Sequence, residues 1–161
     1  MTKMMNVTTP TDREIVVTRT FNAPRELVFR AHTEPQLVKR WLLGPDGWTM
    51  PVCEVDLRVG GRFRYRWRNE AEGQEFGTSG EFREIEPPNR FINSESMEGF
   101  EGQSVVTTLF EEQGSRTKVT VTMLFDSKAQ RDGALASGMA DGMAKTYDRL
   151  ETVLGESLVT G

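Results

Sequence analysis

Pro51-Val52-Cys53-Glu54-Val55-Asp56-Leu57-Arg58-Val59-Gly60-Gly61-Arg62-Phe63-Arg64-Tyr65-Arg66-Trp67-Arg68 is the stretch on which the architecture turns. Its second half alternates arginine and aromatic residues without a break, the period of a strand with one buried face. Its first half sets Cys53, Val55 and Leu57 against Glu54 and Asp56, and Gly60-Gly61 between the halves reads as a hairpin turn. A three-residue loop, Val59 to Gly61, aligns apolar with aromatic and acid with arginine, whereas a two- or four-residue loop puts Glu54 and Asp56 among the aromatics. A one-residue slip reverses every side chain. The expected outcome is Phe63, Tyr65 and Trp67 buried with Cys53, Val55 and Leu57, and Arg64 and Arg66 in solvent near Glu54 and Asp56. The arginine row then reads as a solvated outer face with cross-strand pairs rather than a basic binding patch.

Outward from this hairpin the same signals recur. A β-branched run from Arg13 to Phe21 predicts a first strand, and Pro24 opens a helix to about Ala31. Thr33-Glu34-Pro35-Gln36 has the form of a capping box and starts a second helix ending near Trp41. Gly44-Pro45-Asp46-Gly47 is a loop, and the second strand runs from Met50 to Leu57. After the arginine strand come strands at Glu75–Ile85, Arg90–Ser96, Ser104–Glu111 and Thr117–Phe125. They are separated by Pro87-Pro88-Asn89, a glycine-containing loop from Met97 to Gln103, and Gln113-Gly114-Ser115. Ser127-Lys128-Ala129-Gln130 is a second capping-box pattern. It opens one long helix to about Leu154 with Gly155 as its C-cap, carrying a stripe of Leu135, Met139, Met143, Thr146, Leu150 and Leu154.

The order is that of an α+β domain: a curved antiparallel sheet of six to seven strands around a long C-terminal helix, with two short helices after the first strand. Residues 1–12 are expected as a flexible leader, 13–155 as the domain and 156–161 as a tail. A wide sheet curls around a single helix, and the gap where they diverge must hold side chains, ligand or water. Gly138 and Gly142 lie four apart on that helix, which reads either as close packing on the sheet or as room left for a ligand.

The chain has 161 residues, a formal net charge of −4 and a pI near 5.2, which argues against a nucleic-acid surface. Its single cysteine, Cys53, excludes an intrachain disulfide. Met1 to Asp12 is polar and lacks the apolar segment of a signal peptide, and no apolar run reaches the roughly 20 residues that span a bilayer. A cytoplasmic protein without membrane insertion is expected. The sole histidine, His32, lies at a helix junction without a nucleophile elbow and reads as structural. One histidine and one cysteine make no ordinary zinc site, and Gly60-Gly61 lacks the residues of a phosphate loop. No metal and no cofactor are expected. Glu54 and Asp56 share one strand face and could serve as acids if they faced a cavity, but the register argument puts them outside. Cys53 reads as a small buried hydrophobe.

The set Phe21-x-Ala23-Pro24-x-Glu26-x-Val28-Phe29, Trp41-x-x-Gly44-Pro45 and Pro51-Val52-Cys53-Glu54-x-Asp56-Leu57-Arg58-x-Gly60-Gly61 carries a resemblance. With Leu135-Ala136-Ser137-Gly138-Met139-x-x-Gly142 and Leu150, it closely resembles the bacterial family named for the C-terminal domain of the heat-shock protein 90 ATPase activator. The likeness covers about residues 13–154. It implies the helix-grip fold of the START-like (SRPBCC) superfamily, shared with lipid-transfer, birch-pollen-allergen-like and polyketide cyclase domains, which typically enclose an apolar cavity. Some members carry an aromatic residue where this chain has Met143, implying a larger or more pliable cavity here. No general catalytic set comes with the family. The expected function is binding of an apolar, aromatic or lipid-like molecule between sheet and C-terminal helix without evident catalysis. The expected lining is Trp41, Trp48, Cys53, Tyr65, Trp67, Met139, Gly142 and Met143. The alternatives are a cyclase- or hydrolase-like enzyme using Glu54, Asp56 or Tyr65, and a chaperone ATPase-activating partner. A homodimer is allowed.

Overall fold

Period-two burial organises the sheet, and the computed structural model describes it for residues 5–43, 46–99 and 102–160. The strands are β1 (Asn6–Thr8), β2 (Glu14–Phe21), β3 (Trp48–Val55), β4 (Arg62–Asn69), β5 (Glu75–Glu86), β6 (Arg90–Met97), β7 (Ser104–Gln113) and β8 (Arg116–Phe125). The helices are α1 (Arg25–Thr33), α2 (Pro35–Trp41), α3 (Lys128–Ala136) and α4 (Met139–Thr160). All eight strands form one antiparallel sheet in the order β1-β2-β8-β7-β6-β5-β4-β3. Register shifts in β3 between Thr49 and Val52, and in β5 between Phe82 and Glu84, interrupt the regular pairing where an antiparallel strand can bend. This is the α+β helix-grip architecture.

The core is the sheet face that receives α4. Tyr147, Leu150, Val153 and Leu154 are buried there with Ile15, Val17, Phe21, Val119 and Val121. Phe21 meets Tyr147 edge to face at 5.3 Å. Burial along α4 is graded: Leu150 and Leu154 are buried, while Met139 and Met143 are half-buried at the margin of the same cluster. A second cluster of Val38, Met50 and Trp67 joins α2 to β3 and β4. Arg19, buried on the inward side of β2, donates to Asp148 at 2.8 Å and so ties α4 to β2.

Several details differ from the sequence expectations. Residues 6–8, expected within a flexible leader, form β1 and pair with β2. The 33–36 capping box is absent, because Thr33 is the last residue of α1 and its hydroxyl donates to the Phe29 carbonyl at 3.0 Å. Glu34 is the extended residue between the two helices, as the following Pro35 requires. Ser127 does cap α3, accepting from the Gln130 N–H at 3.1 Å. The expected single helix is broken: Gly138 adopts φ +83°, the left-handed conformation that terminates helices, and α4 starts anew at Met139. Gly155 is not a C-cap, because α4 continues through it to Thr160, across the expected tail. Gly44-Pro45 and Phe100-Glu101, within two predicted loops, lie outside the described residues.

The decisive hairpin keeps its faces but not its register. Val55 pairs with Phe63, Glu54 with Arg64 and Cys53 with Tyr65, leaving residues 57–61 as a five-residue connection instead of three. A displacement of two residues preserves side-chain parity, so Phe63 and Trp67 are buried, Tyr65 half-buried, and Glu54 and Arg64 exposed. The cost falls on Leu57, which moves into the loop and is exposed. Arg64 and Arg66 pair with Glu98 at 2.9 and 3.0 Å, and Arg66 also with Glu75 at 3.4 Å. Asp56 instead takes Arg58 at 2.8 Å.

Leu150→Ala is expected to cost about 2–5 kcal/mol in a denaturant melt, as buried leucine truncations do. Gly142 is exposed in α4, with nothing within 4 Å of an added Cβ. Gly142→Ala should therefore stabilise by about 1 kcal/mol through helix propensity. A destabilised Gly142→Ala variant would show that this helix face is covered.

Candidate functional site

A cavity of about 210 Å³ opens between the α1–α2 elbow and the inward faces of β4 to β7. His32, Val38, Trp41 and Leu42 form its helical side. The sheet contributes Phe63, Tyr65 and Trp67 from β4, Thr78 and Phe82 from β5, Phe91, Asn93 and Glu95 from β6, and Val106 and Thr108 from β7. Ring contacts hold much of this wall: Phe63 lies 5.2 Å from Tyr65 and 5.7 Å from Phe82, and Phe91 lies 6.0 Å from Phe82. Both tryptophans spend their indole N–H on backbone, Trp41 on the Ala31 carbonyl at 2.8 Å and Trp67 on the Leu42 carbonyl at 2.7 Å. They therefore present hydrocarbon to the cavity and are fixed in orientation.

Of the residues expected to line a ligand site, the structure brings Trp41, Tyr65 and Trp67 together. Trp48 packs beside them against Phe76, at 5.3 Å, and Phe76 stacks on Trp67 at 5.0 Å. Cys53 is half-buried, with its thiol 3.8 Å from the Pro35 carbonyl. Burial pushes that thiol pKa up, with Lys39 opposing, which is the reverse of nucleophile activation. Met139 and Met143 pack at the margin of the main core rather than on the cavity, and Gly142 faces outward. The described cavity thus lies beneath α2 and off α4. The close-packing reading of the glycine pair fails: Gly138 breaks the helix, and nothing lies within 4 Å of a Cβ added at Gly142. Glu54 and Asp56 lie in solvent off the cavity wall.

Sequence reasoning missed the polar end of this cavity. Asn93 and Glu95 follow Phe91 at spacing two, so a buried Phe91 commits both to the same inward face. Asn93 is buried and donates to the Ser94 carbonyl at 2.9 Å. The Glu95 carbonyl accepts from the Ser104 hydroxyl at 3.5 Å, but among the described residues no hydrogen bond or ion pair reaches the half-buried Glu95 carboxyl or Tyr65 hydroxyl. Burial raises the Glu95 carboxyl pKa, and burial first, then the charges of Cys53 and Glu95, push the Tyr65 phenol above its usual range.

His32 is the second missed element. Its Nδ1 donates to the Val28 carbonyl of its own helix at 2.8 Å, which fixes the tautomer and leaves Nε2 as an acceptor. Nε2 is buried and has no partner. The ring meets Trp41 at 5.0 Å and Phe110 at 5.1 Å, both edge to face. Burial pulls its pKa down to about 4, with the Val28 bond opposing. Among the described residues no group of three or more His, Cys, Asp or Glu could hold a metal ion, and no helix is long and apolar enough to cross a membrane.

A helix-grip sheet with an aromatic cavity defines a class, and comparison gives the family within it. The family model for activator of Hsp90 ATPase homolog 1-like proteins matches residues 22–155, so the chain belongs to that family. No curated protein matches. A crystal structure of a Rhodobacter sphaeroides protein is 28% identical, covers 95% of this chain and 99% of its own, and superposes with a TM-score of 0.89. One from Nitrosomonas europaea is 26% identical over 94% and 99%, with a TM-score of 0.82. A solution structure from Arthrobacter aurescens, at 24% identity over 94% and 91% and a TM-score of 0.80, shares the fold.

The lone histidine makes one test direct. A base whose folded pKa is depressed keeps its full contribution above the unfolded value of 6.5 and loses it as pH falls through about 4. In NMR titration His32 should protonate near pH 4. The wild type should lose on the order of 3 kcal/mol more stability than His32→Phe between pH 6.5 and 4. Glu95, whose folded pKa is raised, gains stability on acidification, so the comparison with His32→Phe isolates the imidazole. A titration midpoint near 6.5 would mean that His32 is solvated.

Proposed function

We propose that this protein binds a small apolar or aromatic molecule in the cavity under the α1–α2 elbow. The observation that carries the reading is an aromatic wall that ends in polar groups with no protein partner, in a space of about 210 Å³. An apolar cavity of about 150 Å³ holds a benzene ring, so this one suits a molecule of one or two fused rings. Small-molecule sites commonly combine such apolar walls with a few polar groups that fix orientation. The unpaired, buried His32 Nε2 costs stability, and a ligand that donates to it recovers that cost. Membership of a helix-grip family supports the same reading.

Trp41 and Trp67 line the cavity, so intrinsic fluorescence should report occupancy. A library of aromatic and lipid-like compounds should yield ligands that quench this emission and raise the melting temperature. About 2.7 kcal/mol of stabilisation is expected at 100 times the Kd. A bulky substitution such as Thr108→Trp should abolish both effects while leaving the fold intact by circular dichroism. A library without a single melting shift would sink the proposal.

A further inference from the structure

The charge inside the cavity narrows the ligand class. Glu95 is the one carboxylic acid among the lining residues, and no lysine or arginine lines the cavity with it. Burial acts on its carboxyl with no neighbouring cation to offset it. His32 adds a second acceptor, since Nδ1 is committed to the Val28 carbonyl and the buried Nε2 has no donor. The rest of the wall is aromatic: Trp41, Phe63, Tyr65 and Trp67 present ring faces or edges. Ring faces attract cations, and more strongly where water is excluded.

From this arrangement we infer that the cavity is built for an amine: a molecule with an aromatic or aliphatic body whose ammonium group pairs with Glu95 and donates to neighbouring acceptors. This rests on the reading of the cavity as a ligand site. A carboxylate ligand would meet Glu95 with like charge and no cation to hold it. A neutral alcohol could donate one hydrogen bond but would leave the carboxylate uncompensated. An ammonium group supplies both the charge and several donors. It also favours the ionised form of Glu95, reversing the effect of burial.

The test compares three probes on one hydrocarbon frame, naphthylmethylamine, naphthylmethanol and naphthoate, each measured by tryptophan quenching and calorimetry on the full chain. The amine should bind on the order of 10-fold more tightly than the alcohol, with naphthoate weakest. Glu95→Gln, which keeps shape and removes charge, should bring the amine-to-alcohol affinity ratio to about one. A thermal melt of the ligand-free variant should show it folded and no less stable than wild type at neutral pH, since an uncompensated carboxylate has been removed. Equal affinity for amine and alcohol, or a preference that survives Glu95→Gln, overturns the amine assignment while the cavity reading stands. Failure of all three probes to bind overturns both.

Discussion

Phe63, Tyr65 and Trp67 can be turned inward only if Arg62, Arg64, Arg66 and Arg68 are all turned outward. That single constraint on β4 orients the sheet, and the rest of the molecule follows from it. It gives the sheet one aromatic face, which must be covered, and one face rich in charge, which must stay wet. The carboxylates of Glu75 and Glu98 then meet the arginines on the wet face. The two parts of the covering differ in kind. α4 closes over β2 and β8 with aliphatic side chains and Tyr147, whereas α1 and α2 bridge to the aromatic side without filling it.

The unfilled region is also where ordinary packing rules lapse. Most of the interior pairs its polar groups: the Trp41 and Trp67 indole N–H groups find carbonyls, Arg19 Nη1 finds Asp148, and the buried Thr117 hydroxyl donates to the Ala23 carbonyl. Around the cavity, the buried His32 Nε2 goes without, and no hydrogen bond reaches the half-buried Glu95 carboxyl or Tyr65 hydroxyl; elsewhere the Nε atoms of Arg19 and Arg25 are unpaired as well. Departures of this sort concentrate where a chain does something besides fold.

Strand identities were legible because alternation along a half-buried sheet is a strong local signal, and the parity of the β3–β4 hairpin followed from it. What parity leaves free is a slip of two residues, and the chain took it, placing Leu57 in the connection. The helix break at Gly138 was hidden because the stripe of Leu135, Met139 and Met143 runs through it in phase. Trp41, Tyr65 and Trp67 could be placed in the cavity as large aromatics on known faces. His32 and Glu95 could not, because whether a polar residue is satisfied depends on neighbours distant in sequence. The one available clue was Glu95 at spacing four from Phe91.

None of the residues that line the cavity comes from α4, while Leu150 and Leu154, among the most deeply buried side chains, come from it. Selectivity and robustness are therefore written on different segments of the chain. Substitutions on the sheet wall, at Thr78 or Thr108, can retune the ligand without touching the clamp that α4 makes, whereas Trp41 stacks on Tyr147 of α4 at 6.1 Å and joins the two. Changes along α4 away from Tyr147 can make the protein hardier without altering what it holds. A scaffold divided in this way can diversify its cargo while keeping its architecture.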